Sequence, residues 1–215
     1  MKVNFLETNL YTGAENMAID EKMLSDAIEN GLNEAFVRFY EWSPKCVSLG
    51  KNQKEEYFLP EGIDIVRRKT GGRALLHDME LTYCAVAPIL DGESVIQSYK
   101  RISDCLIKGF SRLGIETQYG GEKGVAKGYC MALSTGADVV WKGKKIVGSA
   151  QYRAGGWFLQ HGSILFDADF DLIEKIFDEK VDRNKIATLN EINPSITKEE
   201  LINALKYGFE YELGH

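Results

Sequence analysis

Three segments of this chain put residue types together in patterns that can do chemistry. The first, Arg67-Arg68-Lys69-Thr70-Gly71-Gly72-Arg73-Ala74-Leu75-Leu76-His77-Asp78, carries two adjacent glycines after an apolar stretch. Backbone without Cβ atoms can approach a ligand closely and aim its N–H groups at a carbonyl or an anion. Arg67, Arg68 and Arg73 surround that turn with positive charge; an ordinary basic turn is the alternative, and His77 alone reads as a hydrogen-bonded structural histidine. In the second, Asp138 to Gln151, three lysines (142, 144, 145) crowd Gly143, and Gln160-His161-Gly162-Ser163-Ile164 follows. Simple strand alternation from Lys144 puts Lys145, Val147 and Ser149 on one face and Lys144, Ile146 and Gly148 on the other. One of the paired lysines then faces inward, where an ammonium needs a partner and usually has a purpose. The alternative is that both lie on an exposed edge. The third segment holds Cys130 among glycines and two lysines, a locally positive setting that lowers a thiol pKa and makes a thiolate nucleophile available. Cys84 and Cys105 sit in apolar stretches where cysteine acts as a small hydrophobe, and Cys46 is ambiguous.

The elements that must hold these segments are legible as periodicity. Strands are expected at Val3–Glu7, Ala35–Trp42, Cys46–Leu49, Ile63–Arg67, Ala74–Leu76, Leu81–Val86, Ile115–Tyr119, Ala137–Trp141, Lys144–Gln151 and Phe158–Phe166. Lys142-Gly143 fits a two-residue hairpin turn. Helices fit residues 14–29, 95–113, 170–176 and 198–211, the second with Ile102, Leu106, Phe110 and Leu113 on one stripe. Thr197 and Glu200 form a capping-box signature for the last. Strands come in runs rather than alternating with helices. The expected class is therefore α+β, a single domain over residues 1–215 with a central mixed or antiparallel sheet flanked by helices.

The 215 residues are 44% hydrophobic and 27% charged with a net charge of −6, which suits a globular domain and argues against affinity built on neutralising nucleic-acid phosphates. Four scattered cysteines and three histidines offer no metal-ligand spacing and no disulfide framework. The longest apolar run, Leu81 to Leu90, is about half of what a membrane span requires. Asn4 and Glu7 interrupt what a signal peptide would need, so a reducing cytoplasm is expected. No Gly-x-Gly-x-x-Gly turn, Walker loop, Gly-x-Ser-x-Gly elbow or His-Glu-x-x-His zinc motif is present.

Taken together, the segments resemble the biotin/lipoate protein ligase superfamily. Arg-Arg-x-Thr-Gly-Gly-Arg-Ala-Leu-Leu-His-Asp with Leu81-Thr82-Tyr83, Gly-Lys-Lys-Ile-Val-Gly-Ser-Ala-Gln, Gln-His-Gly-Ser-Ile, Asn16-Met-Ala-Ile-Asp20 and Thr188-Leu-Asn-Glu191 match in order along nearly the whole chain. The Gly-Gly-Arg-Ala-x-x-His-Asp form, with Cys130 thirteen residues before Gly143, resembles the cysteine-dependent octanoyltransferases of the LipM type. That resemblance implies a ligase-like catalytic fold and transfer of octanoate from octanoyl-acyl carrier protein, through a Cys130 thioester, to a lysine of a lipoyl domain. Glycine cleavage H protein and a 2-oxoacid dehydrogenase E2 are acceptors of that kind. It implies no cofactor, no metal and no nucleic-acid or membrane partner. It also implies Cys130 and Lys145 as catalytic, and Arg68, Gly71, Gly72, Arg73, Ala74, Leu75, His77, Gly148, Ala150, His161 and Gly162 as substrate-binding. Val147 is a further expected lining residue, and Arg67, Arg68 and Arg73 are expected either to meet the acidic carrier or its phosphopantetheine or to be the relic of an adenylate pocket. Two other activities of the family, ATP-dependent lipoate ligation and amidotransfer between lipoyl domains, are the alternatives, as is a non-catalytic acyl-binding subunit. The short closing segment disfavours the ligase unless a separate subunit completes it.

Overall fold

A computed structural model of the chain describes residues 1–31, 33–54, 56–121 and 136–214. Two short strands, β1 (Lys2–Phe5) and β2 (Asn9–Tyr11), precede helix α1 (Gly13–Asn30). Then come β3 (Glu34–Trp42), β4 (Lys45–Leu49), β5 (Ile63–Arg67), β6 (Leu75–His77), β7 (Glu80–Pro88) and helix α2 (Val95–Arg112). β8 (Gln118–Tyr119), β9 (Val139–Trp141), β10 (Lys144–Ala154) and β11 (Trp157–Leu165) complete the strands. Helices α3 (Phe170–Phe177), α4 (Leu189–Ile192) and α5 (Lys198–Leu213) close the chain, with a 3-10 turn at Arg183–Lys185. The α+β class expected from the run of strands is the one observed.

Two sheets form rather than one. The larger runs β1-β3-β7-β11-β10-β9-β8, with β2 beside β3, and the smaller is β5-β4-β6. β1, β2 and β5 pair in parallel and the remaining ladders are antiparallel, so the whole is mixed. Periodicity identifies strands but not their partners, which is why the division into two sheets is not readable locally. One face of the large sheet packs on α2 and α5 through Val37, Phe39, Leu81, Tyr83, Leu106, Phe110, Leu205 and Phe209. The other face carries α1, through Met17, Leu24, Tyr40, Cys84 and Leu159. The small sheet has its own apolar layer, in which Val47, Leu75 and Leu76 meet Ile173 and Ile176 of α3 and Leu165 of β11.

Local chemistry explains the ends of these elements. Thr197 accepts from the Glu200 backbone N–H while the Glu200 carboxylate takes the Thr197 N–H, satisfying donors that the helix cannot. Lys142 and Gly143 both adopt positive φ, 47° and 79°, as a two-residue turn matching strand twist requires. Ile115–Tyr119 shrinks to two strand residues, and β10 runs three residues beyond its expected end. No described helix is long and apolar enough to cross a membrane.

Candidate active site

Lys145 reaches its position through a break in strand pairing. Lys144 pairs with Trp141, Lys145 with Val140, and Val147 with Val139, leaving Ile146 as an extra residue. Such a bulge reverses the alternation of faces. Val147 and Val139 join the α2/α5 core, whereas Lys145 lies on the opposite face, the one shared by Gly148 and Ala150. The expectation that Lys145 and Val147 point the same way is therefore corrected, because the bulge sits between them. Lys145 is 4% exposed and its Nζ lies 3.1 Å from Asp138 Oδ2, itself 3% exposed. Lys144 turns the other way and pairs at the surface with Glu191, 2.5 Å away.

A pocket opens on the same face, between the large sheet and the layer formed by α1 and the small sheet. Met17, Tyr40, Trp42, Leu75 and Ala150 and the backbone of Gly148, Ser149 and Gly162 line it, together with Ser48, Arg68, His77, Thr82, His161 and Ser163. So many polar residues would suit an alkyl ligand poorly if their hydrogen bonds were open. They are closed. His77 Nδ1 lies 2.6 Å from Glu80 Oε1 and its Nε2 lies 2.7 Å from Ser48 Oγ. Thr82 and Ser163 donate to the same Glu80 oxygen at 2.6 and 2.7 Å, and Trp42 donates to Thr82 at 2.8 Å. The Trp42 ring stacks on His77 at 3.9 Å. His161 stands between Asp20 (3.0 Å) and Thr70 (2.8 Å), and Asp20 also receives Arg38 and Tyr40. A lining whose donors and acceptors already have partners loses little when water leaves, so an apolar chain can lie against it. Burial lowers the His161 pKa more than its bond to Asp20 raises it, which favours the neutral ring.

The described thiols are chemically quiet. Burial pushes Cys46 up to about 12 and raises Cys84 and Cys105 well above the ordinary range. Each is buried and free. Among the described residues no group of three or more His, Cys, Asp or Glu side chains could hold a metal ion.

Of the residues singled out in the sequence, Arg68, Leu75, His77, Gly148, Ala150, His161 and Gly162 line one pocket. Gly71 and Gly72 line a separate surface groove with Asn52, Gln53 and Lys54. Gly72 takes φ +93°, a left-handed conformation that glycine tolerates, with the Arg68 guanidinium 3.0 Å from where a Cβ would stand. Arg73 lends its carbonyl to Arg68, and Ala74 is packed beneath the small sheet. Arg67 is exposed and donates along the surface to the carbonyls of Gly50 and Gln53. Lys145 shares the pocket's face of the sheet without being one of its lining residues, and Val147 is in the core behind it. Cys130 lies outside the described residues. The sequence motifs did not include Trp42, Ser48 or Glu80, and they contained Thr70, Thr82 and Ser163 without giving them a role. Asp20 and Asp138 stood inside quoted motifs without an assigned role, and their acidity was the available signal.

A family model described as the lipoyl protein ligase A/B catalytic domain matches residues 12–210. An octanoyltransferase LipM of Carboxydothermus hydrogenoformans is 40% identical over 184 residues, covering 80% of this chain and 68% of that protein. An octanoyltransferase LipM of Staphylococcus epidermidis is 36% identical over 236 residues, covering 96% of this chain and 85% of its own length. Among solved structures, a bi-partite lipoate protein ligase studied with its E2 lipoyl domain, from Thermoplasma acidophilum, aligns with a TM-score of 0.75. It is 23% identical, over 100% of this chain and 84% of that one, and shares the fold.

Proposed function

This chain belongs to the lipoyl protein ligase A/B catalytic domain family, and from that premise we propose that it is an octanoyltransferase of protein lipoylation. The observation that carries this reading is the likeness to octanoyltransferases over almost the full chain, joined to a pocket whose lining side chains are already hydrogen-bonded, on the same face as a buried lysine. An octanoyl chain has six methylenes, and burying them contributes about 5 kcal/mol at roughly 0.8 kcal/mol each.

In the proposed reaction the Cys130 thiolate adds to the thioester carbonyl of octanoyl-acyl carrier protein. The tetrahedral intermediate collapses by breaking the carbon–sulfur bond to pantetheine, whose thiolate takes up a proton. One thioester has replaced another, so no nucleotide is consumed. The amine of a lipoyl-domain lysine, in its neutral form, then attacks the enzyme thioester. Cys130 thiolate leaves, the amide forms, and the nitrogen gives up its proton. Elimination supports Cys130 as the nucleophile, since burial keeps the other three thiols protonated at neutral pH. Lys145, whose side chain Asp138 holds on the pocket's face of the sheet, serves in this reading to favour a thiolate and the oxyanion of each addition. Gly71 and Gly72, with the exposed Arg67 and the half-buried Arg73, serve in this reading as the surface over which the carrier arrives, whereas Arg68 is buried and takes no part in it.

The test is incubation with octanoyl-acyl carrier protein in the absence of nucleotide, read by intact mass. The expected result is a hydroxylamine-labile octanoyl adduct that Cys130→Ala abolishes and that a lipoyl domain discharges. Modification of the lipoyl domain that requires ATP and free lipoate, with no enzyme adduct, would overturn the proposal in favour of a ligase.

A further inference from the structure

The hydrogen bonds around Arg68 form one continuous chain that ends in a carboxylate on each side. Arg68 Nε donates to Thr70 Oγ1 at 3.1 Å. One terminal nitrogen donates to the carbonyl and the hydroxyl of Ser48, each at 2.9 Å, and the other to the carbonyls of Gly71 (3.0 Å) and Arg73 (2.7 Å). These five bonds match the five N–H donors of a guanidinium, which accepts nothing. Ser48 and Thr70 therefore each receive a hydrogen bond from a group that can only donate. The hydrogen of each hydroxyl is left for the imidazole it touches, His77 Nε2 at 2.7 Å and His161 Nε2 at 2.8 Å. Across each ring, Nδ1 meets a carboxylate oxygen, Glu80 at 2.6 Å and Asp20 at 3.0 Å. Asp20 also collects Arg38 and Tyr40, and Glu80 Oε1 collects Thr82 and Ser163, while Glu80 Oε2 is buried without a partner among the described residues.

We propose that Arg68 is a positioning residue that fixes both pocket histidines as the neutral Nδ1–H tautomer, each Nε2 capped by a hydroxyl, so that a histidine-lined slot stays receptive to an alkyl chain. The spacing of Ser48, His77 and Glu80 would also suit a serine nucleophile. Arg68 holds that hydroxyl as an acceptor, however, and its five bonded donors are not turned toward an oxyanion. The groups that face His161 are Asp20 from α1, Arg38 and Tyr40 from β3, Cys84 from β7, and Arg68 and His77 from the small-sheet side. Asp20 favours protonation of the ring, whereas burial, Arg68 and His77 oppose it. The Thr70 hydroxyl adds to that opposition, because a hydrogen bond donated to Nε2 stabilises the neutral imidazole.

The first test is nitrogen NMR of the imidazoles in the intact protein, with resonances assigned through His77→Gln and His161→Gln. Protonated Nδ1 and bare Nε2 are expected on both rings; an Nε2–H tautomer on either overturns the proposal. Thr70→Val should disturb the tautomer of His161 alone and Ser48→Ala that of His77 alone, a selectivity that general loosening of the fold would not produce. The kinetic arm rests on the octanoyl reading of the pocket. Thr70→Val should raise KM for the octanoyl donor about five- to tenfold with kcat within about twofold. It should also move the acid limb of kcat/KM upward by roughly half to one pH unit. Thr70→Ser should restore both, and identical kinetics for the Val and Ser variants would overturn the proposal. A wild-type protein that transfers no octanoyl group would sink the functional reading, while the imidazole spectrum would still decide the tautomers.

Discussion

His161 is held by Asp20 on one nitrogen and Thr70 on the other, in surroundings that keep it uncharged. In the unfolded chain the same imidazole titrates near about 6.5. Its pKa in the fold lies lower, so below about pH 6.5 the unfolded chain binds more protons and gains relative stability. The contribution of His161 is thus fully present above that pH and is lost as the pH falls through the folded value. His161→Gln should flatten this part of the profile: the melting temperature of the wild type should drop between pH 7 and 5 by more than that of the variant. A variant that follows the wild-type slope would show that other groups dominate acid destabilisation. The histidine itself was visible in the sequence, within Gln-His-Gly-Ser-Ile. Its partner Asp20 lies 141 residues away, and nothing local announces the pairing.

The β9–β10 hairpin shows what a single extra residue does to an element. Its turn was readable because Lys142-Gly143 meets the demand for positive φ at both central positions. The inward lysine was also foreseen as a buried charge in need of a partner, and Asp138 supplies one at 3.1 Å. Which face it occupies was not readable, since a bulge depends on how the neighbouring strand accommodates Ile146 rather than on the lysine's own sequence. The two adjacent lysines should therefore respond very differently to the same substitution. Lys144→Ala removes a surface pair with Glu191, with partners 28% and 41% exposed, and should cost less than about 1 kcal/mol while leaving octanoyl transfer in place. Lys145→Ala should slow formation of the enzyme thioester by about a hundredfold or more, the scale of losing one preorganised charge at a reacting oxygen. Single-turnover mass spectrometry of the octanoyl adduct measures both, and equal rates for the two variants would refute the assignment.

Across the whole molecule, the large sheet separates a structural side from a chemical side. On the structural side α2 and α5 approach so closely that a Cβ on Gly208 would lie 2.1 Å from the Cys105 carbonyl oxygen and 2.7 Å from the Gly109 nitrogen. Backbone cannot yield as a flexible side chain does, so Gly208→Ala must spread the helices and should destabilise by about 1–3 kcal/mol in urea unfolding. The pocket lies on the other face, so the folded fraction of that variant should keep its KM for the octanoyl donor. A large rise in KM without loss of stability would mean that the two sides are coupled through the sheet.

What the linear chain determined by itself is what short-range physics controls. The α2 stripe, the Thr197–Glu200 cap, the Lys142-Gly143 turn and the order of strands each depend on neighbours within a few residues. The short β2 and α4 carried too little periodic signal to be found that way. Only the tertiary structure decided that β4, β5 and β6 form a second sheet, that Ile146 bulges, and that Arg68 turns inward to join two histidines brought from 84 residues apart. Strand partners, faces and buried hydrogen bonds are settled by which distant groups can exclude water together, and that depends on the packing of the whole chain.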